Sequence, residues 1–262
     1  MIVPAKPSEA LLPLAARLRR RAPELAAYGR ACYRPQPQRR FVIFAQGRTG
    51  SWLLHDFLNT HPDISCDKEV LDRPVVSPHW FIRGLAASAS ASLYGFHAQL
   101  RHLRDVQGLH PGRYLGDLHR RGWKIIHLRR DNYLRQSVSA MIAVKRGRWT
   151  EAVDSPRQTI KSHIDPAELW SWLERRESSR VAEQAALAGL PHLELVYERD
   201  LLRPACHQQT MDRVFDYLEI SPCEITANLR RISGDDLAGC IENFDEVSAL
   251  LRGSRFAHFL ES

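Results

Sequence analysis

No uninterrupted apolar run in the 262 residues approaches the roughly 18 that a membrane-spanning helix needs. Cysteine is scarce: Cys32, Cys66, Cys206, Cys223 and Cys240 are scattered, odd in number and contain no C-x-x-C pair. That pattern fits reduced, mostly buried thiols better than a disulfide framework or a zinc site. Near the N-terminus no short basic region leads into an apolar stretch, because Pro4, Pro7 and Glu9 interrupt it, and the expectation is a cytoplasmic chain without a secretory signal. The extremes of disordered and fibrous chains are missing too. A hydrophobic fraction of 44% with 26% charged residues can build a core, and the length allows one large domain or two small ones.

The net charge of +7 is unevenly placed. Lys6, Arg17, Arg19, Arg20, Arg21, Arg30, Arg34, Arg39 and Arg40 face only Glu9 and Glu24 in the first forty residues, while the remainder balances at 28 basic and 28 acidic side chains. The excess reads either as a solvated basic helix or as a surface attracting anionic lipid or a polyanionic substrate, giving peripheral membrane contact through residues 1–40. No recognisable nucleic-acid module accompanies it, so nucleic acid is not an expected partner.

Leu11, Leu14, Leu18 and Leu25 recur at helical spacing from Glu9 to about Arg30, and Pro35-Gln36-Pro37-Gln38 follows as an extended linker. The expected division is therefore 1–38, a basic amphipathic extension and linker, and 39–262, an α/β domain. Phe41–Ala45 is a continuous apolar run, as in a strand buried on both faces. Further strands are expected at Ser92–His97, Lys124–Leu128 and Leu193–Tyr197. Helices are expected at Ser51–Thr60, Gln99–Val106, Arg113–Arg121, Asn132–Arg146, Pro166–Ala188 and Cys206–Tyr217, with Ala86–Ser92 as a loop. The alternation predicts an α/β fold with a P-loop-like, mostly parallel sheet of about four to five strands flanked by helices, and ligands beyond the carboxyl ends of the strands.

The most informative window is Phe41–Leu54, FVIFAQGRTGSWLL. Gly47 and Gly50 permit positive φ and close backbone approach. The amides from Arg48 to Trp52, opening a helix, form a nest of donors suited to a phosphate or sulfate ester. Arg48 adds a cation, and Thr49 and Ser51 add hydroxyls. The plainer reading is an ordinary strand-to-helix turn with a serine cap; the buried strand before it and the apolar helix after it favour the anion loop. A nucleotide triphosphate loop wants a lysine before its Ser/Thr and a companion strand ending in a metal-holding Asp. Here no lysine precedes Ser51, and the strand Lys124–Leu128 ends in Arg129-Arg130. Arginine in place of the metal carboxylate favours an anion handled without obligatory Mg²⁺.

FVIFAQGRTGSWLL, followed by HPDISCDKEVL, IIHLRRDNYLRQSVSA, LVYERDLL and the ending IENFDEV…LRGSRFAHFL, resembles sulfotransferases that use 3'-phosphoadenosine 5'-phosphosulfate (PAPS), and bacterial carbohydrate sulfotransferases of the trehalose, nodulation-factor and lipopolysaccharide kind most of all. The resemblance covers about Phe41 to the C-terminus. It implies that Gly47, Arg48, Thr49, Gly50, Ser51 and Trp52 hold the 5'-phosphosulfate. Arg130 with Ser139, or alternatively Arg129 with Ser137, would grip the 3'-phosphate. Glu69 would be the catalytic base, Arg48 would stabilise charge on the leaving side, PAP would be the product, and no metal is expected. Trp52, Lys68 and His97 depart from the family pattern, the last standing where lysine is common. His55 and His61 are weaker base candidates.

The acceptor implied is a hydroxyl-bearing, sugar-containing molecule. Trp80, Phe81, Tyr94, Trp149, Trp170 and Trp172 can stack on sugar rings, although aromatics are core residues by default. The segment Leu71–Ser92 is where acceptor contacts are expected. The long helix from Pro166 can face a partner subunit, leaving monomer and homodimer both open. Two other functions compete: a P-loop kinase or NTPase that has drifted from its motif, and a non-catalytic anion- or glycan-binding module.

Overall fold

The computed structural model describes residues 14–147, 151–152, 161–226, 229–230 and 237–260. In chain order the elements are α1 (Leu14–Tyr33), β1 (Arg39–Ala45), α2 (Ser51–Leu58), β2 (Ile64–Asp67), α3 (Pro78–Ala86), β3 (Leu93–Ala98), α4 (Pro111–Arg120), β4 (Trp123–Arg129), α5 (Tyr133–Arg146), β5 (Glu151–Ala152), α6 (Pro166–Leu187), β6 (Leu193–Val196), α7 (His207–Leu218), β7 (Leu229–Arg230), α8 (Leu237–Cys240) and α9 (Phe244–Arg252). Five strands form one sheet in the order β2-β3-β1-β4-β6, and every described pairing in it is parallel. β5 and β7 make a separate antiparallel pair. The expected α/β class and parallel sheet are what the structure has.

The continuous apolar run of β1 belongs to a central strand flanked on both edges. Side chains alternate across the sheet, so Val42 and Phe44 enter a core with Phe96, Ile125, Leu115 and Phe81. Phe41 and Ile43 enter the opposite core with Leu54, Phe57, Ile126 and Phe215. A third cluster joins α5 and α6 to the C-terminal segment through Val138, Leu169, Leu173, Val247 and Phe256.

Of the elements absent from the expectation, two bear on the sheet and its near face, and the others, β5, β7, α8 and α9, lie in the C-terminal part or pair with it. β2 has only four residues, ISCD, whose alternation of buried and half-buried side chains is too short to stand out. α3 begins at Pro78 inside the stretch assigned to acceptor contacts, and its Phe81 and Ile82 are core residues. Buried Phe81 and Tyr94 are thereby removed from the sugar-stacking set. Trp170 packs edge-on against Phe256, and Trp149 lies outside the described residues. The expected helix Gln99–Val106 is a π-turn, His102–Val106.

Helix α1 begins at Leu14 and runs to Tyr33; the expected start at Glu9 lies outside the described residues. It packs on α3 so closely that a Cβ on Gly84 would sit 1.8 Å from the Ala27 carbonyl oxygen. Arg30 Nε donates to Gly84 O at 3.3 Å, and Arg83 Nε donates to Ala31 O at 3.0 Å. Among the described residues, no helix is long and apolar enough to cross a membrane.

From β1 the chain turns towards β2 and β3; from β4 it turns the other way, towards β6. The connections leave adjacent strands in opposite directions, and the crevice between them is where parallel sheets bind ligands. It is flanked by residues 46–50 on one side and 130–132 on the other.

Candidate active site

Two residues of the first loop take left-handed backbone, Arg48 at φ 69° and Gly50 at φ 88°. The second has a steric reason as well: a Cβ on Gly50 would lie 2.7 Å from Cδ2 of Tyr197. Gly50 caps α2, and Leu54 N bonds Gly50 O at 3.0 Å, so the preceding amides of the first turn have no acceptor within the helix. Buried Thr49 donates its hydroxyl to Gln46 O at 2.8 Å, and Gln136 donates to Gly47 O at 2.9 Å. The loop is held by hydrogen bonds from within and from α5.

The Arg48 guanidinium reaches the same helix. Its Nε and Nη2 donate to Ser139 Oγ at 3.1 and 2.8 Å. Burial lowers its pKa, with Tyr197 opposing, but an arginine remains a cation. Arg130 is buried, donates through Nη1 to Arg48 O at 3.3 Å and lies with its guanidinium carbon 4.6 Å from the Tyr197 ring centre. Glu198 is 3.5 Å from Arg130 Nε and also accepts from the amides of Asp131 and Asn132 at the start of α5.

Thus the structure brings Arg48, Arg130 and Ser139 together at the crevice, with Ser139 bonded to Arg48. Arg129 and Ser137 are not joined. Arg129 turns to Glu194 and Asp131, and Ser137 is fully buried with its hydroxyl unpartnered. Ser51 is buried at the first position of α2, and Trp52 lies under the Lys68 ammonium, 3.9 Å from its ring centre.

On the other side of the loop, Glu69 Oε1 accepts from Gln99 Nε2 at 2.8 Å. The Gln99 amide is within 3.8 Å of a Cβ position at Gly47, so one side chain lies between this carboxylate and the loop's edge. His97 Nδ1 and His102 Nε2 each lie 3.7 Å from a Glu69 oxygen. His55 instead faces Cys66 O at 2.7 Å, and His61 faces Ser221 O at 2.9 Å, both turned to backbone carbonyls rather than to the loop.

Behind the loop is a buried polar network that motif reading missed. Gln46 accepts from Arg176 Nη1 at 3.1 Å and donates to Glu183 Oε2 at 3.2 Å, and His127 Nε2 is 3.7 Å from the same oxygen. Burial brings the Arg176 pKa down to about 10; Glu183 opposes the fall, and nearby Arg130 and Arg48 add to it. Arg176 is therefore a third guanidinium in the electrostatic neighbourhood of the crevice. Its one signal in the sequence is a basic residue inside a long helix, which is ordinarily solvated. His127 also lines a cleft of about 440 Å³ with His192, Glu194 and the 187–191 turn, a cleft that contains none of the expected site residues. Among the described residues, no group of three or more His, Cys, Asp or Glu side chains is placed to hold a metal ion.

Fold and site together define a parallel α/β domain whose first loop carries a buried arginine at the switch point. Among solved structures, the chain is similar to a sulfotransferase from Alicyclobacillus acidocaldarius, with 15% identity, 84% of this chain and 93% of that chain covered, and a TM-score of 0.46. It is also similar to mouse sulfotransferase SULT7A1 complexed with PAP, with 11% identity, 90% and 92% covered, and a TM-score of 0.45. No family model matches the chain, and no curated protein matches it.

Proposed function

We propose that this chain is a sulfotransferase that moves the sulfuryl group of PAPS to a hydroxyl of a sugar-containing acceptor. The observation that carries the reading is the pairing of unlike groups across one loop. Arg48, Arg130 and the first amides of α2 sit at the crevice, while the Glu69 carboxylate stands at the loop's other edge with Gln99 between them. A kinase-type site would place a lysine and a metal carboxylate where this chain has Thr49-Gly50-Ser51 and Arg129-Arg130.

In this reading the loop amides and Arg48 bind the 5'-phosphosulfate. Arg130, with Ser139 on the facing helix, takes the 3'-phosphate. The reaction is an in-line displacement at sulfur, in which positioning and charge stabilisation supply most of the acceleration. Arg48 and the amides stabilise charge growing on the leaving phosphate. Glu69 accepts the proton of the attacking hydroxyl.

Thermal stabilisation tests the ligand class directly, because a ligand that binds only the folded state raises stability by mass action. PAP is expected to raise the melting temperature more than adenosine 5'-monophosphate or ATP with Mg²⁺. A larger shift with ATP and Mg²⁺ would overturn the reading in favour of a nucleotide-triphosphate enzyme.

A further inference from the structure

Glu69 does not stand alone against its neighbours. His97 Nε2 lies 3.1 Å from the Ala45 carbonyl oxygen, which can only accept, so Nε2 carries the ring proton and Nδ1 presents a lone pair to Glu69 Oε1 at 3.7 Å. His102 has the reverse polarity towards the carboxylate. Its Nδ1 accepts from Gln99 N at 3.3 Å, so Nε2 carries the proton; that Nε2 is buried without a hydrogen-bond partner, 3.7 Å from Glu69 Oε2. Both rings are almost completely enclosed. The π-turn at His102–Val106 is the local device that aims His102 inward, and such turns are frequent at functional sites.

The charged and titratable groups around His97 are Glu69 after β2, Glu183 from α6, and Arg101 and His102 after β3. Burial lowers the pKa of His97, with Glu69 opposing. Burial first, then Arg101 and His97, bring that of His102 to about 3. Both rings are neutral near pH 7. The carboxylate therefore has a donor on one side and a bare acceptor on the other.

We propose that His97 Nδ1 receives, through a hydrogen bond from the protonated Glu69 carboxyl, the proton removed from the acceptor hydroxyl, while His102 Nε2–H holds the second carboxylate oxygen in place. This deepens the sulfuryl-transfer reading and rests on it. As the acceptor O–H bond breaks, its proton goes to Glu69 Oε1 and its oxygen bonds sulfur. The sulfur–oxygen bond to the 5'-phosphate breaks, and that electron pair leaves with the phosphate. The new carboxyl O–H then closes the 3.7 Å gap to Nδ1. After product release the proton returns to water through Glu69, the half-exposed member of the set. His97 and His102 act through Glu69 and are positioning residues.

The first test needs no turnover. Nitrogen-15 NMR of the histidine rings in the full chain at pH 7 is expected to show His97 and His102 neutral, each with its proton on Nε2. A proton on Nδ1 of His97 would remove the lone pair and overturn the proposal, even if transfer is observed. The second test is His97→Gln, which can keep a donor for Ala45 O but has no acceptor at the Nδ1 position. Expected are a tenfold or larger fall in kcat, an unchanged donor KM and PAP melting shift, and an acid limb of the kcat profile moved to lower pH. His97→Asn, which offers an amide oxygen near Nδ1, is expected to recover part of the kcat. An unperturbed kcat and acid limb in His97→Gln overturn the proposal. Failure of the wild-type chain to transfer sulfuryl groups overturns the functional reading, while the NMR result still decides the proton arrangement.

Discussion

The two walls of the crevice solve opposite electrostatic problems. On one wall, Arg48, Arg130 and Arg176 bring like charges together beside Glu198 and Glu183, and in the proposed reading the donor's phosphates complete the balance. On the other, a single carboxylate stands against two imidazoles and an amide, and in the proposed reading a proton comes and goes there. The first wall gains from ligand binding and the second from proton transfer, so substitutions should separate affinity from turnover.

The sharpest way to break the contrast is Arg48→Ala. It removes the cation nearest the proposed leaving group, and a loss of 100- to 1,000-fold or more in kcat is expected from removal of one preorganised donor, together with a smaller PAP melting shift. Glu69→Gln should fall on the other side, costing roughly 100-fold or more in kcat while the PAP shift stays at the wild-type value. If Glu69→Gln weakens PAP binding as much as Arg48→Ala does, the two walls are not functionally distinct.

A finer comparison separates the neighbouring arginines after β4. Arg130→Ala should weaken PAP about 10- to 100-fold, the worth of a charge-assisted contact, and should weaken adenosine 5'-monophosphate much less. Arg129→Ala, whose guanidinium already pairs with Glu194 and Asp131, should change neither by more than a few fold. Competition titrations with both nucleotides measure the difference, and reversal of the order assigns the 3'-phosphate to Arg129.

The smallest expected effect concerns stability. His102 is depressed to about 3 when folded and lies near 6.5 in an unfolded chain. Between these values the unfolded chain binds the extra proton, so stability falls as pH drops from about 6.5 towards 3. The contribution is up to about 1.4 kcal/mol per pH unit from this ring. Denaturant unfolding of His102→Gln across that window should show a shallower acid loss than wild type; an equal slope would mean that other groups carry it.

Legibility followed the same division. β1 announces itself because its five-residue apolar run is buried on both faces, β3, β4 and β6 through short runs rich in apolar residues, and the loop after β1 because glycine spacing and the ensuing helix are local features. β2 and α3 escaped: one is four residues long at the sheet edge, and the other begins at a proline inside a stretch rich in loop-forming residues. Arg48, Arg130, Ser139 and Glu69 could be named from motifs. Their partners could not, since Gln46, Gln99, His102, Arg176 and Tyr197 meet them only through chain crossings of 30 residues or more, or through a π-turn that no simple periodicity encodes.

Tyr197 is one such partner, and its position has a metrical consequence. The same phenol ring lies against Gly50 and beneath the Arg130 guanidinium. In the proposed reading, the thickness of one aromatic side chain sets the span between the loop and Arg130, a ruler for the distance between the two phosphate groups of the nucleotide. Shortening that side chain would alter which nucleotides fit before it altered how strongly either station holds its charge.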